Sequence, residues 1–273
     1  MRRVVVALAL LAVPPATSQE RTGVLVRKWD CKIAERVYLS QPSGWINHMP
    51  WLISSPAIGN LSGEADLEVV TGTEEGYGEW FPRGQGSGRY LGIGSKGAKL
   101  WDYETQNNAG RASPAIVDLD GDGVPECTGG STSGWMIHCF GSSGRGRWRF
   151  ECANRSNVLA APASADLTDA PGLETVAVSA EGSVYCVTAA GRLVWKARPE
   201  ENTGGCYAAA APAIGDLDGD GKSEVVVSLP GRSSQRAYCL DGATGDVRWR
   251  SEALAGGGMT VTSAPALLPV ADP

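Results

Sequence analysis

The sequence predicts an all-β chain assembled from repeats of about fifty residues, and three observations carry that prediction. Five segments share one pattern: Ser55-Pro56-Ala57-Ile58, Ser113-Pro114-Ala115-Ile116, Ala161-Pro162-Ala163-Ser164, Ala211-Pro212-Ala213-Ile214 and Ala264-Pro265-Ala266-Leu267. The steps between their prolines are 58, 48, 50 and 53 residues. A second marker, Gly-x-x-x-Trp, keeps the same phase as Gly97/Trp101, Gly144/Trp148, Gly191/Trp195 and Gly245/Trp249. Glycine and proline together fill 52 of 273 positions, an excess that calls for many turns and short strands and disfavours a helical bundle. Two independent markers in phase over four periods, with four strand-like segments in each, describe a β-propeller of four-stranded antiparallel blades.

The chain opens on Arg2 and Arg3, the apolar run Val4–Val13 and small residues at Ala16 and Ser18. That is the pattern of a secretory signal over residues 1–18, which makes the mature protein an exported one, periplasmic or extracellular. The apolar run is too short to span a membrane, and no later stretch reaches eighteen apolar residues. Gly23–Trp29 reads as the fourth strand of a blade whose first three strands are missing, placed to close the ring against the last blade. Complete blades are expected over about 52–101, 112–148, 159–195 and 209–249, with a partial blade from 262. The count leaves an incomplete ring, and further blades or a partner chain are expected to complete it.

Within a blade, Ser-Pro-Ala-Ile is a short first strand with proline at its edge. The fourth blade then gives a β-rich second strand at Glu224-Val225-Val226-Val227. Its third strand, Arg236–Leu240, and fourth, Val247–Arg250, flank the turn Asp241-Gly242-Ala243-Thr244-Gly245.

The first blade is the irregular one. It carries extra length in the segment before its first strand and between its second and third strands. In such a meander both insertions rise from one rim. They bear Trp45, His48 and Trp51 on one loop and Tyr77, Trp80, Phe81 and Arg83 on the other, with Glu74, Glu75 and Glu79 among them. Aromatics beside charges on long loops suit a ligand-binding face for a sugar or a protein partner. The same residues also suit a plug in which the two loops bury each other's aromatics.

Between the first and second strands of blades two and four lie two acidic loops. Asp118, Asp120 and Asp122, with Glu126, stand at positions 1, 3, 5 and 9 of the first; Asp216, Asp218, Asp220 and Glu224 repeat them in the second. Alternate carboxylates converge when the chain curls, and glycine at position 6 permits the turn. A carbonyl at position 7, Val124 or Lys222, and water bring the oxygens to the six to eight that Ca²⁺ takes. Mg²⁺ wants a tighter octahedron and is the second choice. An EF-hand needs glutamate at position 12, where Gly129 and Val227 stand. Two calcium ions are therefore expected, stiffening the loops rather than catalysing. The alternative is a solvated acidic turn without an ion, in which four carboxylates within nine residues repel one another. Blades one and three keep Asn60, Ser62, Glu64 and Glu68, and Asp166, Thr168 and Glu174, and are expected to be weak or empty sites.

Seven cysteines in an exported chain suggest disulfides, with at least one thiol left over. Cys139, Cys186 and Cys239 precede their blade tryptophans by nine or ten residues, where Gly92 precedes Trp101, and read as small packing residues under the ring. Folding the hairpin about Thr132-Ser133-Gly134 sets Cys127 opposite Cys139, a disulfide candidate. His138 reads as a structural histidine, and no spacing supports a zinc site.

The loops Asp118–Glu126 and Asp216–Glu224, following Ser-Pro-Ala and Ala-Pro-Ala, resemble the calcium loops of FG-GAP/VCBS (integrin-α-type) propeller repeats. The blade end Cys239–Trp249 is similar to the tryptophan-docking repeat of pyrroloquinoline-quinone-type propellers. Both resemblances imply a propeller; the first implies recognition or adhesion without chemistry. Similar propellers also occur in polysaccharide lyases and quinone-dependent dehydrogenases, and an envelope assembly scaffold is a third reading. No cluster of acid, base and electrophile recurs among the blades, which favours a binding module over an enzyme. The net charge of −6 disfavours a nucleic-acid partner.

Overall fold

A computed structural model describes residues 54–63, 66–73, 88–105, 112–132, 134–153, 156–199, 210–230, 234–253, 255–256 and 264–267. Within them the chain forms four antiparallel sheets, each a simple meander. The first holds β1 (Ala57–Gly59), β2 (Glu68–Thr73), β3 (Arg89–Ile93) and β4 (Lys99–Glu104). The second holds β5 (Ala115–Val117), β6 (Glu126–Gly130), β7 (Met136–Gly141) and β8 (Gly146–Glu151). The third holds β9 (Ala163–Ala165), β10 (Glu174–Val178), β11 (Val184–Val187) and β12 (Leu193–Ala197). The fourth holds β13 (Ala213–Gly215), β14 (Glu224–Pro230), β15 (Ser234–Asp241) and β16 (Val247–Arg250), and β17 (Ala255–Gly256) pairs with the start of β15.

Burial is graded across each sheet. The second strands β2, β6 and β10 are buried at every residue, whereas β16 is exposed throughout. A strand covered on both faces reads as a continuous apolar run, and Val69-Val70, Val176-Ala177-Val178 and Val225-Val226-Val227 do so. β6 does not, because Gly129 and Gly130 stand where its neighbours press closest. A Cβ on Gly129 would lie 2.4 Å from the Tyr90 ring, and one on Gly130 2.4 Å from Val158.

Adjacent sheets pack face to face. Tyr90 and Tyr103 of the first sheet stack on Phe140 of the second, with ring centroids 5.1 and 4.6 Å apart. Ile137 and Phe150 of the second sheet meet Ala177 and Tyr185 of the third. Val176, Val178 and Trp195 of the third meet Val225, Val227 and Tyr238 of the fourth. Burying each such side chain is worth about 1.5–3 kcal/mol, so these apolar seams dominate the cohesion of the fold.

One tryptophan from each of the first three sheets locks the seam with the next. Trp101 lies against Gly144, Trp148 against Gly191 and Trp195 against Gly245, each glycine belonging to the following sheet. Those glycines sit at φ 76°, 72° and 77°, in the left-handed region, and a Cβ on any of them would come within 3 Å of the indole. Trp148 Nε1 donates to Ala189 O at 2.7 Å and Trp195 Nε1 to Gly242 O at 2.8 Å. Trp101 differs. It folds over Gly92, where a Cβ would lie 2.2 Å from Cε2, and its buried Nε1 makes no hydrogen bond.

The cysteine expectation needs one correction. Cys127 pairs with Phe140 and Cys139 with Thr128, so Cys127 and Cys139 are not opposite each other. Successive side chains alternate between faces, and a one-residue offset separates the two sulfurs; both thiols are free. The cause is the turn. Ser131 N donates to Met136 O, giving a four-residue loop in which Trp135 adopts φ 53°. Cys139, Cys186 and Cys239 pair with Trp148, Trp195 and Trp249, as Gly92 pairs with Trp101, and a β-bulge follows each pairing. All three are buried and act as packing residues. Residues 1–18, Gly23–Trp29, Trp45, His48, Trp51, Tyr77, Trp80, Phe81 and Arg83 lie outside the described residues.

Candidate metal centres

The two acidic loops join first to second strands, β5 to β6 and β13 to β14, and they fold almost identically. Asp118 accepts from Gly121 N and Gly123 N, both at 2.9 Å; Asp216 accepts from Gly219 N at 2.7 Å and Gly221 N at 2.9 Å. This ring of amides stabilises the carboxylate and holds the Asp216 carboxyl below its usual pKa, Gly221 contributing most. The fifth residue of each loop binds the seventh: Val124 N donates to Asp122 Oδ1 and Lys222 N to Asp220 Oδ1, both at 2.8 Å. Gly121 and Gly123, like Gly219 and Gly221, hold φ between 75° and 84°, which lets the chain curl tightly enough to converge its side chains.

Ligand atoms of Asp118, Asp120 and Asp122 all lie within 4.8 Å of one another. In the second loop the converging trio is Asp216, Asp218 and Glu224. The ninth residue opens the second strand and is buried in both cases. Glu126 Oε2 accepts from Leu119 N at 2.9 Å, and Glu224 Oε2 from Leu217 N at 2.9 Å. Their other oxygens, Glu126 Oε1 and Glu224 Oε1, are buried and accept no hydrogen bond. Burial pushes the Glu126 carboxyl above its usual range, against the pull of the Leu119 amide and Arg147. An unsatisfied buried carboxylate oxygen costs several kcal/mol unless a cation faces it. The donor set, hard carboxylate oxygens with room for carbonyl and water, fits Ca²⁺.

The two degenerate loops make the point by contrast. There Glu68 and Glu174 occupy the same buried place, but Ser62 Oγ donates to Glu68 Oε1 at 2.7 Å and Thr168 Oγ1 to Glu174 Oε1 at 2.9 Å. A hydroxyl at position 3 supplies the proton that an aspartate cannot. In these loops a hydroxyl hydrogen bond satisfies the glutamate oxygen that accepts none in the two full loops. Glu64 lies outside the described residues.

Sequence reasoning missed two residues. Arg147 and Arg248, on the fourth strands, reach over the acidic loops. Arg147 Nη1 lies 2.6 Å from Asp120 Oδ2, and its Nη2 lies 2.8 Å from Glu126 Oε1 and 3.7 Å from Asp122 Oδ2. Arg248 Nη1 lies 3.0 Å from Asp218 Oδ2 and 2.6 Å from Glu224 Oε1, and Nη2 2.8 Å from Asp241 Oδ2. The glutamate contacts are coulombic: the distances are short, yet no N–H is aimed at the oxygen. The missed signal was positional. Both arginines immediately precede the blade tryptophan, and Leu100 and Val194 stand there in the sheets with degenerate loops.

His138 is no ligand. It is wholly buried, its Nδ1 lies 3.1 Å from Tyr103 Oη, and desolvation pushes its pKa down to about 3.

No protein-family model and no curated protein matches the chain. Among solved structures it is similar to the exotype rhamnogalacturonan lyase YesX, at 17% identity and a TM-score of 0.53, over 79% of this chain and 43% of that one. BamB from Moraxella catarrhalis is similar at 18% identity and a TM-score of 0.43, over 74% and 51%. The quinohemoprotein alcohol dehydrogenase ADHIIG from Pseudomonas putida HK5 is similar at 15% and 0.46, over 68% and 33%. The chain thus spans about half or less of these proteins. At such identity the likeness to the lyase establishes fold alone, and with the four sheets of the described residues it gives an all-β propeller of about four blades.

Proposed function

We propose that this chain is an exported calcium-binding propeller of the FG-GAP/VCBS type, acting as a recognition or adhesion module for an extracellular carbohydrate or protein. One observation carries the calcium part. Two loops at the same place in two blades each bury a glutamate oxygen that accepts no hydrogen bond and meets only the charge of an arginine, while the other two satisfy it with a hydroxyl. Asp118, Asp120, Asp122, Glu126 and the Val124 carbonyl would hold one ion; Asp216, Asp218, Asp220, Glu224 and the Lys222 carbonyl the other. The metal would supply stiffness and charge neutralisation at the rim, with no part in bond making.

Equilibrium calcium titration tests this. The parent should bind two ions, and Asp122→Ala and Asp220→Ala one each. Unchanged stoichiometry in the double variant would overturn the assignment.

The recognition part draws its support from the two aromatic insertions of the first blade. Trp80→Ala should abolish glycan or protein capture without moving the melting temperature, whereas a large stability loss would favour a plug. A second reading, the propeller part of a larger exported enzyme, is supported by the 43% of the lyase chain that this chain spans. Turnover of rhamnogalacturonan by the purified protein would establish it.

A further inference from the structure

We infer that Arg147 and Arg248 are tethered counter-cations that occupy the calcium position of their loops in the metal-free protein and are expelled when the ion binds. The inference rests on the calcium reading and adds to it the residue that sets the affinity.

Three observations lead there. Each guanidinium contacts the oxygens a metal needs: Arg147 touches Asp120 Oδ2 and Glu126 Oε1, and Arg248 touches Asp218 Oδ2 and Glu224 Oε1. Each faces a buried glutamate oxygen that accepts no hydrogen bond, so that oxygen has a coulombic partner without a directional bond. Arginine stands at this position in the two blades with a full acidic loop, and Leu100 and Val194 in the two where a hydroxyl holds the glutamate. The glutamate always has a partner. It is a hydroxyl in one pair of blades and a cation in the other.

A calcium ion bonds oxygen at about 2.3–2.6 Å. An ion that close to Glu126 Oε1 would sit within a few ångströms of a guanidinium already 2.8 Å from the same atom. Two cations at that range repel strongly, so they exchange rather than coexist. The route out is open: the Arg147 side chain is 35% exposed and the Arg248 side chain 28% exposed. One guanidinium against four carboxylates also leaves a net negative loop, which still draws a dication. Apparent calcium affinity is then the intrinsic affinity reduced by the fraction of loops from which the arginine has withdrawn.

The test is calorimetric calcium titration of the parent, Arg147→Leu and Arg248→Leu, with melting temperatures in EDTA as a second readout. Leucine is the residue at this position in the first blade. Each variant should bind calcium at least tenfold more tightly at its own loop, leaving the other loop unchanged. Each should also melt about 2–4 °C lower in EDTA. Equal or weaker calcium binding in the variants, with calcium bound by the parent, overturns the exchange alone. No calcium bound by any of the three overturns the calcium reading and the exchange together. If circular dichroism shows that a leucine variant has not folded, Arg147→Gln and Arg248→Gln take its place under the same criteria.

Discussion

Single residues here are judged by what they leave unsatisfied. His138 is buried neutral with its ring against Tyr103 and Arg149 nearby. Between its folded pKa of about 3 and its ordinary 6.5, the unfolded chain binds a proton that the folded chain refuses. Stability should therefore fall as pH drops through 6.5, by up to about 1.4 kcal/mol per unit from this group. His138→Gln should flatten that slope, read from urea unfolding at pH 7 and pH 5. The thiols give a second outcome. Burial raises the Cys139 and Cys186 thiols to about 12, so neither should react with iodoacetamide until the protein unfolds. Mass spectrometry without reductant should find Cys127 and Cys139 as separate thiols, and a peptide linking them would contradict the register. Glycine matters where it meets tryptophan. Gly245→Ala strains a left-handed residue and drives a methyl to 2.6 Å from Trp195 Cε3, for a loss of about 1–3 kcal/mol in urea unfolding.

The acidic loop is the element on which the proposed calcium binding turns, and half of it was legible in advance. Carboxylates at positions 1, 3, 5 and 9 with glycine between them pointed to a cation, because that much like charge in nine residues repels itself unless a counter-charge intervenes. The arginines were not legible from the loop, since they arrive from a strand some twenty residues further on and only the meander brings them back. The hydroxyls of Ser62 and Thr168 looked like weak metal ligands in sequence. In the structure they donate to the buried glutamate instead, at the oxygen that an arginine faces in the full loops. Thr168→Val should cost about 1–3 kcal/mol by stranding Glu174 Oε1, with no calcium dependence. The hairpin error has the same origin. A single residue at positive φ, Trp135, lengthened the turn by one and moved every cross-strand pair after it. Nothing in the local sequence marks a tryptophan for that conformation.

For the molecule as a whole, periodicity carried the fold. Markers fifty residues apart placed Pro, Gly and Trp at equivalent points in each sheet, and the sheets then packed by a rule each repeats. Even the departures obey it: β6 gives up valine for Gly129 and Gly130 because Tyr90 and Val158 fill their space. The next repeat begins in step, since Leu267 lies against Gly215 as Ile116 lies against Gly59. On the outer face of the fourth sheet, Leu217 and Trp249 are 42% and 46% exposed, where Leu119 and Trp195 are buried at 1% and 7%. The aromatic insertions were legible as composition only, and their chemistry belongs to the ligand experiment. Whether calcium holds this rim together is the central question. It is tested most directly by thermal unfolding of the parent and of the Asp122→Ala/Asp220→Ala double variant, each in EDTA and in saturating calcium. At a hundredfold excess over Kd each occupied site adds about 2.7 kcal/mol, so the two together are worth roughly 10–20 °C for a domain of this size. Calcium should raise the melting temperature of the parent by that much and leave the double variant where it was in EDTA; equal shifts in both proteins, or none in the parent, would contradict the account.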